Sequence, residues 1–354
     1  MSNLSRVRFV RWLVLLSWSA VLGACTSSAN DNPQAEGSST SIEGSSDVQP
    51  SSPEVDRDSL IQPSGRQPLV GVAVKESTLA ATELVETKVG VQFEVVRTFA
   101  RWDDRVPNAD LLAMVVGGRR VHLSVRPRTN DGSSIPWADL AASQPGSALY
   151  GQFIGWVDRF ASLPVGSYVT INHEPETGDS RPNGSAEDFV AMWRRLAQLL
   201  DERGGEHVQL TWTLTNGSFR RGTAESWYPG DDVVDVVGAD SYNWYTCQAT
   251  DRAWVSFGEL IQEPLRFARA HGKPLAVPEL GPVEDPEHVG RKAAWIADAT
   301  VTMQHPEVAA DLAFFAWFDI TAPDGNFPDC VWNIESSESS AAAFAEMIRT
   351  LATD

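Results

Sequence analysis

Ser167-Tyr-Val-Thr-Ile-Asn-His-Glu-Pro-Glu176 runs from a β-branched strand directly into carboxylates. A second stretch, Lys273-Pro-Leu-Ala-Val-Pro-Glu-Leu-Gly281, repeats that form and puts Glu279 at its tip. Two glutamates at the C-terminal ends of two strands, far apart in sequence, are what a barrel needs to set an acid and a nucleophile on either side of one bond.

Outward from these two segments, short β-rich runs alternate with helical patterns. Strands are expected at Leu69–Val74, Gln92–Thr98, Arg120–Val125, Tyr168–His173, Val208–Leu214, Val233–Ala239, Pro274–Pro278 and Leu312–Phe318. Helices are expected at Ser147–Ala161, Ala186–Arg203, Phe257–His271, His288–Met303 and Ser339–Leu351, where apolar residues recur at three and four; Phe189, Trp193, Leu196 and Leu200 form the clearest stripe. Strict alternation implies a parallel sheet, and eight units close more readily as a (β/α)8 TIM barrel than they extend as an open sheet. No Gly-x-Gly-x-x-Gly follows the first strand, which weighs against a dinucleotide fold.

The N-terminus reads differently. Arg6, Arg8 and Arg11 precede a short apolar run from Trp12 to Leu22, and Leu22-Gly-Ala-Cys25 resembles a bacterial lipobox. The apolar run is well short of the roughly 20 residues of a spanning helix. Residues 1–24 are therefore expected to be a lipoprotein signal peptide, with Cys25 lipidated and the protein held at the membrane outside the cytoplasm. Residues 25–67, rich in Ser, Pro and acids with hardly an aromatic, are expected to form a disordered linker, and 68–354 the barrel. The formal charge of −19, more negative once three arginines leave with the signal segment, excludes a nucleic-acid partner and suits a neutral polymer. With Cys25 lipidated, Cys247 and Cys330 remain as an even pair, for which an oxidising compartment favours a disulfide. No Cys or His cluster has metal-ligand spacing, so no metal and no cofactor are expected, and the protein is expected to be monomeric.

Several stretches together resemble the β-mannanase-like glycoside hydrolases of family 26, clan A. Gly71-Val-Ala73 resembles their first strand; Tyr228-Pro-Gly-Asp231 with Val233-Val-Asp-Val-Val-Gly-Ala-Asp-Ser-Tyr-Asn243 their sixth; Lys273 to Glu279 their seventh; Phe315-Ala-Trp-Phe-Asp319 their eighth. The resemblance implies that Glu174, preceded by His173, is the acid/base and Glu279 the nucleophile, on strands four and seven. It also implies that Tyr242 hydrogen-bonds Glu279 and that Arg97 supplies the opposite charge, although pairing of Arg97 with Asp103 or Asp104 is an equally open reading. His173 orients Glu174, binds a sugar hydroxyl or is a satisfied core imidazole. Glu176, after Pro175, is expected at the rim or on a sugar hydroxyl, and Asn172 on neighbouring backbone.

Of the 13 tryptophans, Trp317, Trp244 and Trp102 fall at the expected top face, where flat rings stack on sugars. Trp317 is the leading platform and Trp244 the second, with Trp227 and Trp332 as further candidates; Trp156, Trp193 and Trp295 fit helical core stripes. After Glu174 the chain has Pro175-Glu-Thr-Gly-Asp179 where mannanases of the family carry an apolar residue and Asn-Gly. That difference touches the substrate-facing loop. The expected activity is retaining hydrolysis of a β-linked polysaccharide, β-mannan ahead of mixed-linkage β-glucan and β-xylan. The alternative is a barrel lipoprotein that binds a glycan or cell-wall partner without cleaving it.

Overall fold

Eight parallel strands pair in sequence order and close: β1 (Leu69–Val74), β2 (Val95–Arg101), β3 (Arg120–Arg126), β4 (Tyr168–Ile171), β5 (Gln209–Thr215), β6 (Val236–Asn243), β7 (Leu275–Pro282) and β8 (Leu312–Asp319), with β8 returning to β1 from Leu69↔Phe314 to Val74↔Asp319. This is a (β/α)8 barrel, in a computed structural model that describes residues 67–247, 253–321 and 330–352. The expected signal peptide, Cys25 and the linker up to residue 66 lie outside the described residues.

A helix follows each strand and covers its outer face, and the sequence sets their ends. Ser185 caps the helix Ala186–Glu202 through a reciprocal pair with Asp188, and Ser256 caps Phe257–Ala270 through the same device with Glu259. The stripe Phe189, Trp193, Leu196 and Leu200 is fully buried against the sheet. Strands sandwiched between helices and barrel interior are buried nearly throughout, hence their continuous apolar runs.

Inside the barrel, Leu69, Val95, Tyr168, Val236, Ala276, Ala313 and Phe314 form an apolar cluster separate from the sheet–helix core. The Tyr168 and Phe314 rings lie 4.4 Å apart and His122 packs edge-on against both, at 6.3 and 5.4 Å. This cluster fixes which residues face inward, because side chains alternate along a strand. From Val95, inward parity runs through Arg97, Phe99 and Arg101; from Val236 it reaches Asp240 and Tyr242; from Phe314 it reaches Phe318.

Strand ends depart from expectation where the chemistry lies. β6 and β7 continue past their apolar runs to Asn243 and Pro282, pairing Tyr242↔Gly281 and Asn243↔Pro282. β4 stops at Ile171, two residues early, because Asn172 turns to φ +55°. β2 begins at Val95 rather than Gln92, because the Phe93 N–H is drawn to the Glu86 carboxylate (3.0 Å).

Cys247 and Cys330 form a disulfide that joins the segment after β6 to the segment after β8. Around it pack Val283, Trp332, Tyr242, Trp244 and Phe318.

Candidate active site

At the end of β4, His173 sits between two non-glycine residues in the left-handed region, Asn172 (φ +55°) and Glu174 (φ +50°). Such backbone is strained and persists only when its surroundings over-determine it. Here both neighbouring strands do so: the Asn172 N–H donates to the Val125 carbonyl of β3 (2.7 Å) and the Glu174 N–H to the Thr213 carbonyl of β5 (2.9 Å). The Asn172 amide donates to Ser180 Oγ (3.0 Å), and the Thr177 hydroxyl donates to the Glu174 carbonyl (2.9 Å). The result presents the Glu174 side chain to the mouth. Its pKa is pushed up to about 8, first by burial and then by the negative charges of Glu279 and Glu176, against the opposing charges of Arg97 and Arg126.

Glu279 is placed by a different device. From Gly238↔Ala276 to Ser241↔Leu280, β7 uses one residue more than β6; from Val277↔Phe315 to Leu280↔Trp317 it uses one more than β8. This bulge falls at Pro278-Glu279, so Glu279 gains inward parity inside a strand that runs on to Pro282. Pro278, which has no N–H, sits where the ladder is already broken.

Both Glu279 oxygens are held. The Tyr242 hydroxyl donates to Oε2 (2.6 Å), and Arg97 Nη2 lies 2.7 Å from Oε1. Arg97 is fully buried in mid-strand, and its Nη1 lies 3.4 Å from Asp240 Oδ1. Asp103 and Asp104 do not pair with it; both bind Asn130, and Asp104 also binds the Arg101 N–H. Burial pushes the Asp240 carboxyl well above the usual carboxylate range, more than Arg97 lowers it. A neutral Asp240 leaves the Arg97 charge to Glu279. Tyr242 is also pushed up, by burial and by the Glu279 charge, and so keeps the proton it donates.

The expected aromatic platforms need correction. Trp317 has outward parity on β8 and is fully buried against Trp295 and Phe344, its indole N–H donating to the Trp332 carbonyl (2.7 Å). Its inward neighbour Phe318 meets the mouth instead, edge-on to Tyr242 at 5.6 Å. Trp102 also has outward parity; it is buried against Phe153 and Trp156 and donates to Gln152 Oε1 (2.9 Å). Trp227 packs on Trp137 and Phe189. Trp244 is half-buried beside Tyr242 (5.3 Å) and faces a cavity of about 590 Å³ with Tyr242, Asn216 and Arg220. Trp332 is buried, stacked behind Tyr242 at 4.6 Å. Glu176 is not free for a sugar hydroxyl through Oε1, which accepts from the Thr215 N–H (2.7 Å), Thr215 Oγ1 (2.8 Å) and Ser218 Oγ (3.0 Å) and so ties the loop to the end of β5.

His173 Nδ1 shares a hydrogen bond with Ser124 Oγ (2.7 Å), and its ring rests against Phe99 (5.5 Å). Burial and the nearby Arg126 and Arg97 charges hold it well below the usual histidine range, hence neutral. Sequence reasoning gave no role to Asp240, Phe318, Phe99, Ser124 or Arg126. One signal was available for the last two: His122, Ser124 and Arg126 recur at every second position of β3.

The family model for glycosyl hydrolase family 26 matches residues 178–270. That segment contains Asp240, Tyr242 and Trp244; it begins just after Glu174 and ends just before Glu279. Endoglucanase H of Acetivibrio thermocellus is 27% identical over 165 residues, covering 46% of this chain and 17% of that protein. A beta-1,3-xylanase of Alcaligenes sp is 31% identical over 100 residues, 28% of this chain and 19% of that protein. The chain thus spans less than a fifth of either relative. The catalytic domain of a family 26 endo-beta-1,4-mannanase from Bacillus sp. JAMB-750 shares the fold with a TM-score of 0.59 at 16% identity, over 82% of this chain and 88% of that one. A family 26 beta-mannanase from Bacteroides ovatus does so with a TM-score of 0.58 at 17% identity, over 83% and 92%. Across residues 178–270 the chain carries the sequence pattern of glycosyl hydrolase family 26, on a barrel with the fold of that family's solved members.

Proposed function

We propose that the protein is a retaining glycoside hydrolase acting on a β-linked polysaccharide outside the cytoplasm. The observation that carries this reading is the asymmetry of two carboxyls at one mouth: Glu279 is gripped by a cation and a hydroxyl, while Glu174 holds its proton to about pH 8. An ionised carboxylate and a protonated one are the two species that a double displacement needs.

In the first step Glu279 attacks the anomeric carbon as Glu174 gives its proton to the departing oxygen. The attack neutralises Glu279, and one of the charges that raise the Glu174 pKa disappears with it. Glu174, having given up its proton, therefore stays ionised and is available to take a proton from the water that releases the glycosyl-enzyme. Tyr242 and Arg97 hold Glu279 for attack and take back its charge at release. Trp244 and Phe318 offer ring faces and edges to the sugar.

For the backbone we favour β-mannan, then mixed-linkage β-glucan and β-xylan; the solved family 26 neighbours are mannanases and the curated relatives an endoglucanase and β-1,3-xylanases. The Cys247–Cys330 disulfide supports an oxidising compartment, in keeping with a lipid anchor at Cys25. The test is reducing-sugar release by the mature protein on mannan, mixed-linkage glucan and xylan, with the product anomer followed by NMR. A β-anomer formed first is expected. An α-anomer would remove Glu279 as nucleophile, and binding without cleavage would favour the glycan-binding barrel.

A further inference from the structure

The mouth carries a concentration of positive charge that neither carboxyl accounts for. In a chain of formal charge −19, Arg101, Arg126 and Arg128 line one groove of about 360 Å³ with Phe99, Ser124 and His173, at the ends of β2, β3 and β4. The acid that lines the same groove, Asp104, already accepts from the Arg101 N–H (2.7 Å) and the Asn130 amide (2.8 Å).

Arg126 differs from the two buried arginines of the barrel. Arg97 is paired with Glu279 and Asp240, and Arg119 with Glu86. Arg126 is half-buried, its Nε is shut away from solvent with no acceptor, and no carboxylate lies within ion-pair distance among the described residues. A guanidinium partly stripped of water and left without a counter-ion is costly, and the cost is relieved when an anion occupies its fork. The fork is planar and matches the two oxygens of a carboxylate or sulfate. The Phe99 ring, with Arg97 over it at 5.0 Å, lines the same groove.

We propose that this groove reads an anionic group on the glycan, a uronosyl carboxylate or a sulfate ester, with Arg126 as the contacting residue and Arg101 and Arg128 as flanking charge. The proposal rests on the glycosidase reading and adds to it a preference for acid-bearing forms of the β-linked backbone. His173 lines the groove and the Arg126 charge acts on Glu174, so the anionic residue sits close to the bond that is cut.

The test compares one polymer with itself: a uronic-acid-bearing β-glycan before and after chemical reduction of its carboxyls, and a sulfated β-glycan before and after desulfation. The expected result is kcat/KM higher by about tenfold on the intact form of one of these pairs, a preference of the size a charge-assisted contact supplies. Which pair shows it identifies the anion. Arg126→Gln should bring that ratio to about one, and Arg126→Lys, which keeps the charge but not the fork, should keep part of it. If Arg126 only tunes Glu174, Arg126→Gln will change both forms equally, shift the pH profile and leave the ratio standing, and the proposal is overturned. Equal rates on intact and neutralised polymers would also overturn it while leaving the hydrolase reading intact. Calorimetric binding of acidic oligosaccharides to the Glu279→Ala protein, at low and high salt, reads the groove without turnover. Arg126-dependent, salt-sensitive binding, combined with a wild-type protein that cleaves none of these polymers, would sustain the anion site and end the hydrolase reading instead.

Discussion

Glu174 and Glu279 are the same residue at the same end of the barrel, and they differ in what surrounds the carboxyl. Glu279 sits in a bulge within a paired strand, with a partner on each oxygen and a disulfide-backed aromatic wall behind it. Glu174 sits on a strained turn held by its backbone, and its carboxyl has no hydrogen-bond partner among the described residues. One carboxyl is held by a cation and a hydroxyl, and the other keeps its proton to about pH 8. On the proposed reading, acid and nucleophile are told apart by their neighbours rather than by residue type.

Removing the carboxyls breaks the comparison most severely. Glu279→Ala should lower kcat on every β-glycan by on the order of 10⁴-fold or more, since no covalent intermediate can form. Glu174→Ala should cost about 10² to 10⁴-fold on polysaccharide, and much less in the first step on an aryl glycoside whose leaving group needs no proton. Azide should rescue Glu174→Ala with a β-glycosyl azide as product. Rescue of Glu279→Ala to that same β-product would reverse the assignment.

The disulfide supports only the Glu279 side. It closes a loop with a sequence separation of 83 residues, for which the chain-entropy model gives about 4.5 kcal/mol as an upper figure. The Cys247→Ser, Cys330→Ser double variant should melt at lower temperature and lose more activity on polymer than on an aryl glycoside, because Tyr242, Trp244 and Trp332 pack on the bridge. Unchanged melting would remove the bridge as a support. Next in size is Tyr242→Phe, which deletes a hydrogen bond to a charged acceptor; such bonds contribute about 1.5–3 kcal/mol, so kcat should fall roughly 10- to 100-fold. A loss confined to KM would show that the hydroxyl serves the sugar rather than Glu279.

Glu174→Gln sharpens the other side. Its folded pKa of about 8 lies above the ordinary 4.5. A carboxyl raised in this way weakens the fold progressively as pH rises from about 4.5 to 8, where the unfolded chain ionises and the folded one does not. Glutamine carries no such penalty. The melting temperature of Glu174→Gln should therefore match wild type near pH 4 and exceed it increasingly towards pH 8, and wild-type kcat/KM should fall above about pH 8. A stability difference that does not change with pH would refute the raised pKa.

Most of the barrel and both carboxyls were legible because apolar runs and strand-tip acids are local signals. What was lost was parity. Phe315-Ala-Trp-Phe-Asp319 does not say which alternate residues face inward until Phe314 is seen in the interior cluster; then Trp317 must face the helices, and Trp102 likewise follows from Val95. The bulge at Pro278-Glu279 shifts parity by one residue, a change that depends on how two neighbouring strands pair. Arg97 could be placed on its strand, but its partners come from β6 and β7, and only closure of the barrel chooses them over Asp103 and Asp104.

The smallest expected effect tests the least visible member of the site. Asp240 lies between the two regions, fully enclosed, with Oδ1 3.4 Å from Arg97 and Oδ2 without a partner among the described residues. Were it ionised it would compete with Glu279 for Arg97; burial favours its protonated form. Asp240→Asn preserves shape and neutrality, so its kcat and pH profile should stay within about threefold of wild type, the scale of a displaced neutral hydrogen bond. Asp240→Ala, which leaves a cavity beside Arg97, should cost more in melting temperature than in pH profile. A large loss of kcat in Asp240→Asn, with its melting temperature unchanged, would mean that Asp240 carries a charge the reaction uses. Arg97 would then be shared between two carboxylates, and the contrast between a held charge and a held proton would have to include a third group.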